Sequence, residues 1–100
     1  MNINTQPFSY EYKGNLTSQK AYELKNVLSK IVNQGNTNLS IILSEVDEAD
    51  VVGVNALVMT HKLVGQFDGK IEVILKKDSH LDSLIHLTKF SHIFTIIYSK

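Results

Sequence analysis

Residues 41–54 read IILSEVDEADVVGV: an apolar run, then four carboxylates among six residues, then a second apolar run broken by one glycine. The run Leu39-Ser40-Ile41-Ile42-Leu43 is short and nearly continuous, the mark of a central strand covered on both faces. Residues 51–67 carry apolar groups almost all round, which predicts a largely buried helix. Between them stands Asp50, a good N-cap, with acids before the helix complementing its dipole at about 0.3–1 kcal/mol each. The stretch is therefore a strand-to-helix junction, and the rest of the chain is organised around it.

Asp47-Glu48-Ala49-Asp50 also spells the acidic motif with which helicase motors hold magnesium and water for ATP cleavage. That chemistry needs a phosphate cradle, G-x-x-x-x-G-K-[ST], after a strand and opening a helix. The nearest approach, Gly65-Gln66-Phe67-Asp68-Gly69-Lys70-Ile71, is one residue short and places Ile71 where a hydroxyl should ligate magnesium. It leads into a strand, and it follows the acidic motif instead of preceding it. The carboxylates would also repel a phosphate at this helix end. The spelling is an accident.

Composition narrows the function further. A chain of 100 residues suits one domain, residues 1–100, and is too short for a two-domain motor. Ten Lys+Arg balance ten Asp+Glu, so the broad basic field needed for nonspecific nucleic-acid binding is absent. No cysteine is present, which excludes disulfides, thiolate metal sites and cysteine nucleophiles. The start MNINTQPFSYEYKG has no basic or apolar signal region, and no apolar run approaches the ~18 residues of a membrane span. A cytoplasmic protein without direct membrane insertion is expected.

Outward from the junction, FSYEYKG alternates Phe8, Tyr10 and Tyr12 with polar residues, the period of a half-buried strand. MNINT is expected to pair with it as a hairpin around Gln6-Pro7. From Thr17 to Gln34 the period becomes helical, with Ala21, Leu24, Leu28 and Ile31 on one face. Thr17 or Ser18 is the expected cap and Gly35 the stop. KIEVIL is a strand, and Asp78 or Ser79 caps a third helix with Leu81, Leu84, Ile85 and Leu87 inward. IFTIIY is the last strand. The order β-β-α-β-α-β-α-β predicts an α/β sandwich, helices against a mixed sheet.

The frame Asp50-Val51-Val52-Gly53-Val54, following a central strand and opening an apolar helix, resembles the STAS domain of anti-sigma-factor antagonists and sulphate transporters. That family's hallmark is a strand of the form vvlDLs, then D-S-S-G-L. YEYKGNLT is similar to its strand–G–L opening, GKIEVIL to its G-x-x-L-x-L strand, and LDSLIHLTKFSHIFTIIYS to its closing V-x-x-L-L-x-L-T-G-L-x-x-x-F-x-I. The resemblance spans nearly the whole chain through order and spacing rather than through one diagnostic piece.

It implies a regulatory protein-binding module whose partner, an anti-sigma factor that is a histidine-kinase-like ATPase, phosphorylates the Ser after the Asp. Here that position is Val51, and Val52 replaces the next hydroxyl residue. Valine has no hydroxyl, so phosphorylation at this place is chemically impossible. A phosphoserine would add about −1.5 to −2 charges; Val51 leaves the position neutral and implies a constitutive binder. Many members also continue into a fourth helix after the last strand, and its omission would favour self-association as a homodimer. A STAS subunit of an ABC-type lipid transport system and a structural block of a signalling assembly are the alternatives. The first of these would dock on the ATPase subunit through the start of the same helix.

Asn55, Met59, Lys62 and Gln66 share a helix face with Val51 one turn earlier. With Asp50, Val52 and Gly53, the first three of them and Val51 make up the expected partner contact. Glu45, Asp47 and Glu48 would either steer a basic partner or complement the helix dipole. His80 and His86 lie about 240° apart on a helix and cannot chelate together, while His61 has no obvious carboxylate companion. Ser44, Ser79, Ser83 and Ser91 lack a nucleophile-elbow setting. No enzyme, cofactor or metal is expected.

Overall fold

The computed structural model describes residues 7–99. The chain runs β1 (Phe8–Leu16), α1 (Ser18–Asn33), β2 (Asn38–Ala49), α2 (Val51–Gly65), β3 (Lys70–Lys76), α3 (His80–Leu87), a 3-10 turn (Phe90–His92) and β4 (Thr95–Ser99). The strands lie in the order β1-β2-β3-β4, and every pairing among the described residues is parallel. The α/β architecture is as expected. The first strand, over MNINT, and with it the antiparallel element of a mixed sheet, lies outside the described residues.

Sequential order with right-handed crossovers puts successive helices on the same face of a sheet. The alternation of burial agrees: Leu39, Ile41 and Leu43 of β2 and Ile71, Val73 and Leu75 of β3 are buried in one core with Leu24, Leu28, Leu57 and Ile85 from the helices. Ile42 and Ile74 point the other way and are only half-buried. The expectation that the central strand is covered on both faces is thus corrected. Its apolar run reflects a helix-covered face, Leu39, Ile41 and Leu43, interleaved with Ser40 and Ile42 on a face that no described helix covers.

α1 ends as its sequence predicts. Gly35 takes φ +102, its N–H reaches the Val32 carbonyl at 2.9 Å, and Asn36 N–H reaches Ile31 at 3.3 Å. That double bond pattern closes the free carbonyls at a helix end. The start of α1 departs from expectation. Thr17 makes no side-chain cap, and Ser18 sits in the left-handed region at φ +45. Its N–H donates to Asp50 Oδ2 at 3.1 Å, from the far junction.

Leu87 is a second correction, being 77% exposed. Six residues beyond the buried Leu81 turn a helix by about 600°, so Leu87 faces away from Leu81 and Ile85. Buried Leu81 and Ile85 seat α3 on the core, and polar bonds add to that hold. Ser79 Oγ accepts from Asp82 N–H at 3.2 Å, and the buried Asp82 carboxylate accepts from Asp78 N–H and Tyr98 O–H, each at 2.9 Å. His86 Nδ1 stands 3.2 Å from the same carboxylate. One aspartate therefore ties the start of α3 to the edge strand β4.

A close backbone approach lies where β1 ends. A Cβ on Gly53 would stand 2.5 Å from the Leu16 carbonyl oxygen, whereas one on Gly65 would meet nothing within 4 Å. Gly53→Ala is expected to destabilise by about 1–3 kcal/mol through overpacking, and Gly65→Ala to leave stability level or raise it slightly; urea midpoints measure both. Partial desolvation, the Asp82 hydrogen bond and the charges of Asp82 and Asp78 hold the Tyr98 phenol above its ordinary range. The folded state thus binds that proton more tightly than the unfolded chain. Its contribution is complete below about pH 10 and falls as pH rises through the higher folded range. The urea-midpoint gap between wild type and Tyr98→Phe is expected to be level below about pH 9 and to shrink above about pH 10.

Candidate functional site

Asp50 is built into the junction from three directions. Its Oδ1 accepts the Gly53 N–H at 3.1 Å, its Oδ2 accepts the Ser18 N–H at 3.1 Å, and its own N–H reaches the Leu16 carbonyl at 3.4 Å. A single carboxylate therefore caps α2 and also pins the start of α1, where two sets of free amides converge. Gly53 is buried against Leu16, so Asp50 and Gly53 are explained by the architecture of the junction.

Val51 and Val52 are different. They occupy the first turn of α2 and are 59% and 47% exposed. Asn55 and Lys62 are exposed as well, and Met59 is 45% exposed. The sequence-predicted site residues thus divide into half-buried Asp50 and buried Gly53 beneath, and five exposed side chains above.

The structure assigns the valines separate places. Val52, Asn55 and Met59 of α2 face Tyr22 and Lys25 of α1 across a groove of about 240 Å³, floored by Ala21 and Ala56. The two alanines keep the helices close. Beyond Met59 the groove continues, at about 330 Å³, between Lys25 and Ser29 on one side and Lys62, Leu63 and Gln66 on the other. Val51 does not line it; the stripe Asn55, Met59, Lys62, Gln66 is led by Val52. Val51 projects beside the groove at the helix tip.

Sequence reasoning missed the α1 wall. Tyr22 is 55% exposed, and Lys25 Nζ lies 5.2 Å from its ring centroid, a cation–π contact. The available signal was an aromatic residue one position after the buried Ala21, on a helix whose buried face was already plain. No carboxylate lines either part of the groove, which is apolar at its floor with Lys25 and Lys62 on its rims.

The acids before the junction lie elsewhere. Glu45 pairs with Lys13 at 3.2 Å on the surface, Asp47 and Glu48 are exposed, and Glu48 N–H is held by Asn15 Oδ1 at 3.3 Å. His80 Nδ1 accepts from Ala49 N–H at 3.3 Å, and His61 meets the Phe94 ring edge-on at 6.0 Å. His80 and His61 thus serve backbone bonding and packing. Among the described residues no cluster of three metal-ligating side chains occurs, and no described helix is long and apolar enough to cross a membrane.

The chain belongs to the STAS domain family, whose model matches residues 1–100. Among solved structures its fold is similar to that of the anti-sigma factor antagonist SpoIIAA in its unphosphorylated form. The TM-score is 0.71 at 14% identity, covering 100% of this chain and 86% of that one. At that identity the likeness concerns the fold. No curated protein sequence matches the chain.

Because Asp50 serves two helix starts, Asp50→Ala is expected to cost about 1–3 kcal/mol, at the upper end for a cap. Asp50→Asn should cost less, since one amide oxygen remains to accept. Hydrogen exchange should show the Ser18 and Gly53 amides losing protection together in Asp50→Ala. Loss at Gly53 alone would contradict the shared anchor.

Proposed function

We propose that this protein is a non-enzymatic regulatory binding module of the anti-sigma-factor-antagonist type, docking a protein partner through the α2 tip and the α1–α2 groove. The carrying observation is the division within one four-residue motif. Asp50 and Gly53, which the backbone requires, stand as in the family pattern; Val51 and Val52, which protrude, do not. A partner meets the protruding pair.

Val51 stands where the family pattern carries the phosphorylatable Ser. An aliphatic side chain there accepts no phosphate and adds no charge, so the contact stays in its unmodified state and binding is constitutive. The partner type the resemblance implies is a histidine-kinase-like ATPase acting as an anti-sigma factor, and the setting is cytoplasmic transcription regulation in a bacterium. Exposed Val51, Val52 and Met59 supply desolvated area, and Asn55, Lys25 and Lys62 a polar rim, the usual anatomy of a transient interface.

The test is quantitative capture from the native host's lysate with wild-type, Val51→Asp and Met59→Asp baits. Both substitutions lie on exposed positions and should leave the fold intact by circular dichroism. A carboxylate at residue 51 imitates part of the charge a phosphate would bring, and is expected to weaken retention of the principal partner about 10- to 100-fold, equivalent to about 1.4–2.7 kcal/mol. Retention of every wild-type partner by both variants would sink the reading.

A further inference from the structure

The face of the sheet turned away from the helices carries a pattern that matches itself. Strand pairing aligns Glu11, Ile42, Ile74 and Ile97 in one row across β1, β2, β3 and β4. Ile97 is 42% exposed, and Ile42 and Ile74 are half-buried with no described helix over them. Below that row the β2 and β4 positions are Ser40 and Thr95, and above it Ser44 and Ser99, all small. The isoleucines therefore form a low ridge that a second flat surface can approach to the ~10 Å spacing of packed sheets.

The charges on β3 decide which surface that is. Glu72 and Lys76 each lie two residues from Ile74, on opposite sides, and strand alternation turns all three to the same face. Lys76 lines a surface depression with Lys13, Ser44 and Glu45, and there Lys13 is already paired with Glu45. A two-fold axis running across the strands through the isoleucine row lays β3 of one copy antiparallel on β3 of the other. It sets Glu72 of each copy opposite Lys76 of its mate, with the three isoleucines of each meeting between. The exposed Glu11 of each faces its equivalent at the β1 end, a like pair that weakens the contact. A two-fold interface requires this kind of self-complementarity, one patch serving as both partners.

We infer that this open sheet face is a homodimer interface, closed by the Ile42–Ile74–Ile97 ridge and two symmetry-related Glu72–Lys76 pairs. Four strands at ~4.8 Å and five residues at ~3.3 Å make a flat area of roughly 300 Å². That is below the ~800 Å² per partner of a standard stable complex. The dimer is therefore a weak one. The interface leaves the α1–α2 groove on the opposite face free, so the dimer presents two grooves, one on each outer side. The inference stands independently of what docks in the groove.

Sedimentation equilibrium of the full chain, from about 10 µM to about 1 mM, tests it. Wild type is expected to move from monomer to dimer across that range. Glu72→Lys and Lys76→Glu, each placing like charges opposite one another, are expected to weaken association about tenfold or more. The double variant carrying both substitutions should restore it, because the reversed pairs match again. These positions are at least partly exposed, and circular dichroism checks that each variant folds. A monomer throughout the range overturns the inference. So does a dimer that ignores both charge variants, or one that Met59→Asp disrupts while the charge variants do not, which would put the contact on the helices.

Discussion

The fold turns on one carboxylate that two helices share. Asp50 follows β2, caps α2 through Gly53, and receives the first amide of α1 through Ser18. Helix starts expose amides that carry partial positive charge, and bringing two of them together without an anion would be repulsive and unsatisfied. With the anion in place, β1 can run into α1 directly beside the tip of α2, close enough that only a glycine at residue 53 fits against the Leu16 carbonyl. The left-handed Ser18 is tolerated because its amide is held from across the junction.

On the proposed reading, that arrangement separates structure from recognition on the scale of four residues. The chain must keep an acid at 50 and the smallest side chain at 53 to fold this way. It is free at 51 and 52, where side chains reach solvent. A helix tip framed so rigidly is a good place to present a contact, because little ordering remains to be done when a partner arrives. It is also a place where chemistry can change without structural cost, and two valines there are compatible with the same backbone that accommodates hydroxyl residues elsewhere in the family pattern.

The layers have a second consequence. Sequential parallel strands send their helices to one side, so one sheet face builds the core and the other is left to its own composition. Here that composition is neither uniformly polar nor a broad greasy patch. It is a narrow isoleucine ridge with opposite charges placed evenly about Ile74. The groove and the ridge lie on opposite faces, and the same domain has room for two independent contacts.

The sequence by itself determined the order of helices and strands from Phe8 to Ser99, the Gly35 stop, the cap at Asp50 and the buried face of α1. Those depend on periodicity and on bonds between near neighbours, which a linear reading contains. The tertiary structure alone decided the rest. Ser18 finds its partner 32 residues away, Asp82 reaches a tyrosine 16 residues on, and the α1 wall of the groove, Tyr22 and Lys25, becomes a site only when α2 packs beside it. Leu87 looked like core because leucine favours burial, but helical rotation carries it outward. The apolar run of β2 looked doubly covered because a strand's letters do not say which face its neighbours occupy. That information resides in strand order and crossover handedness, which exist only once the chain has folded.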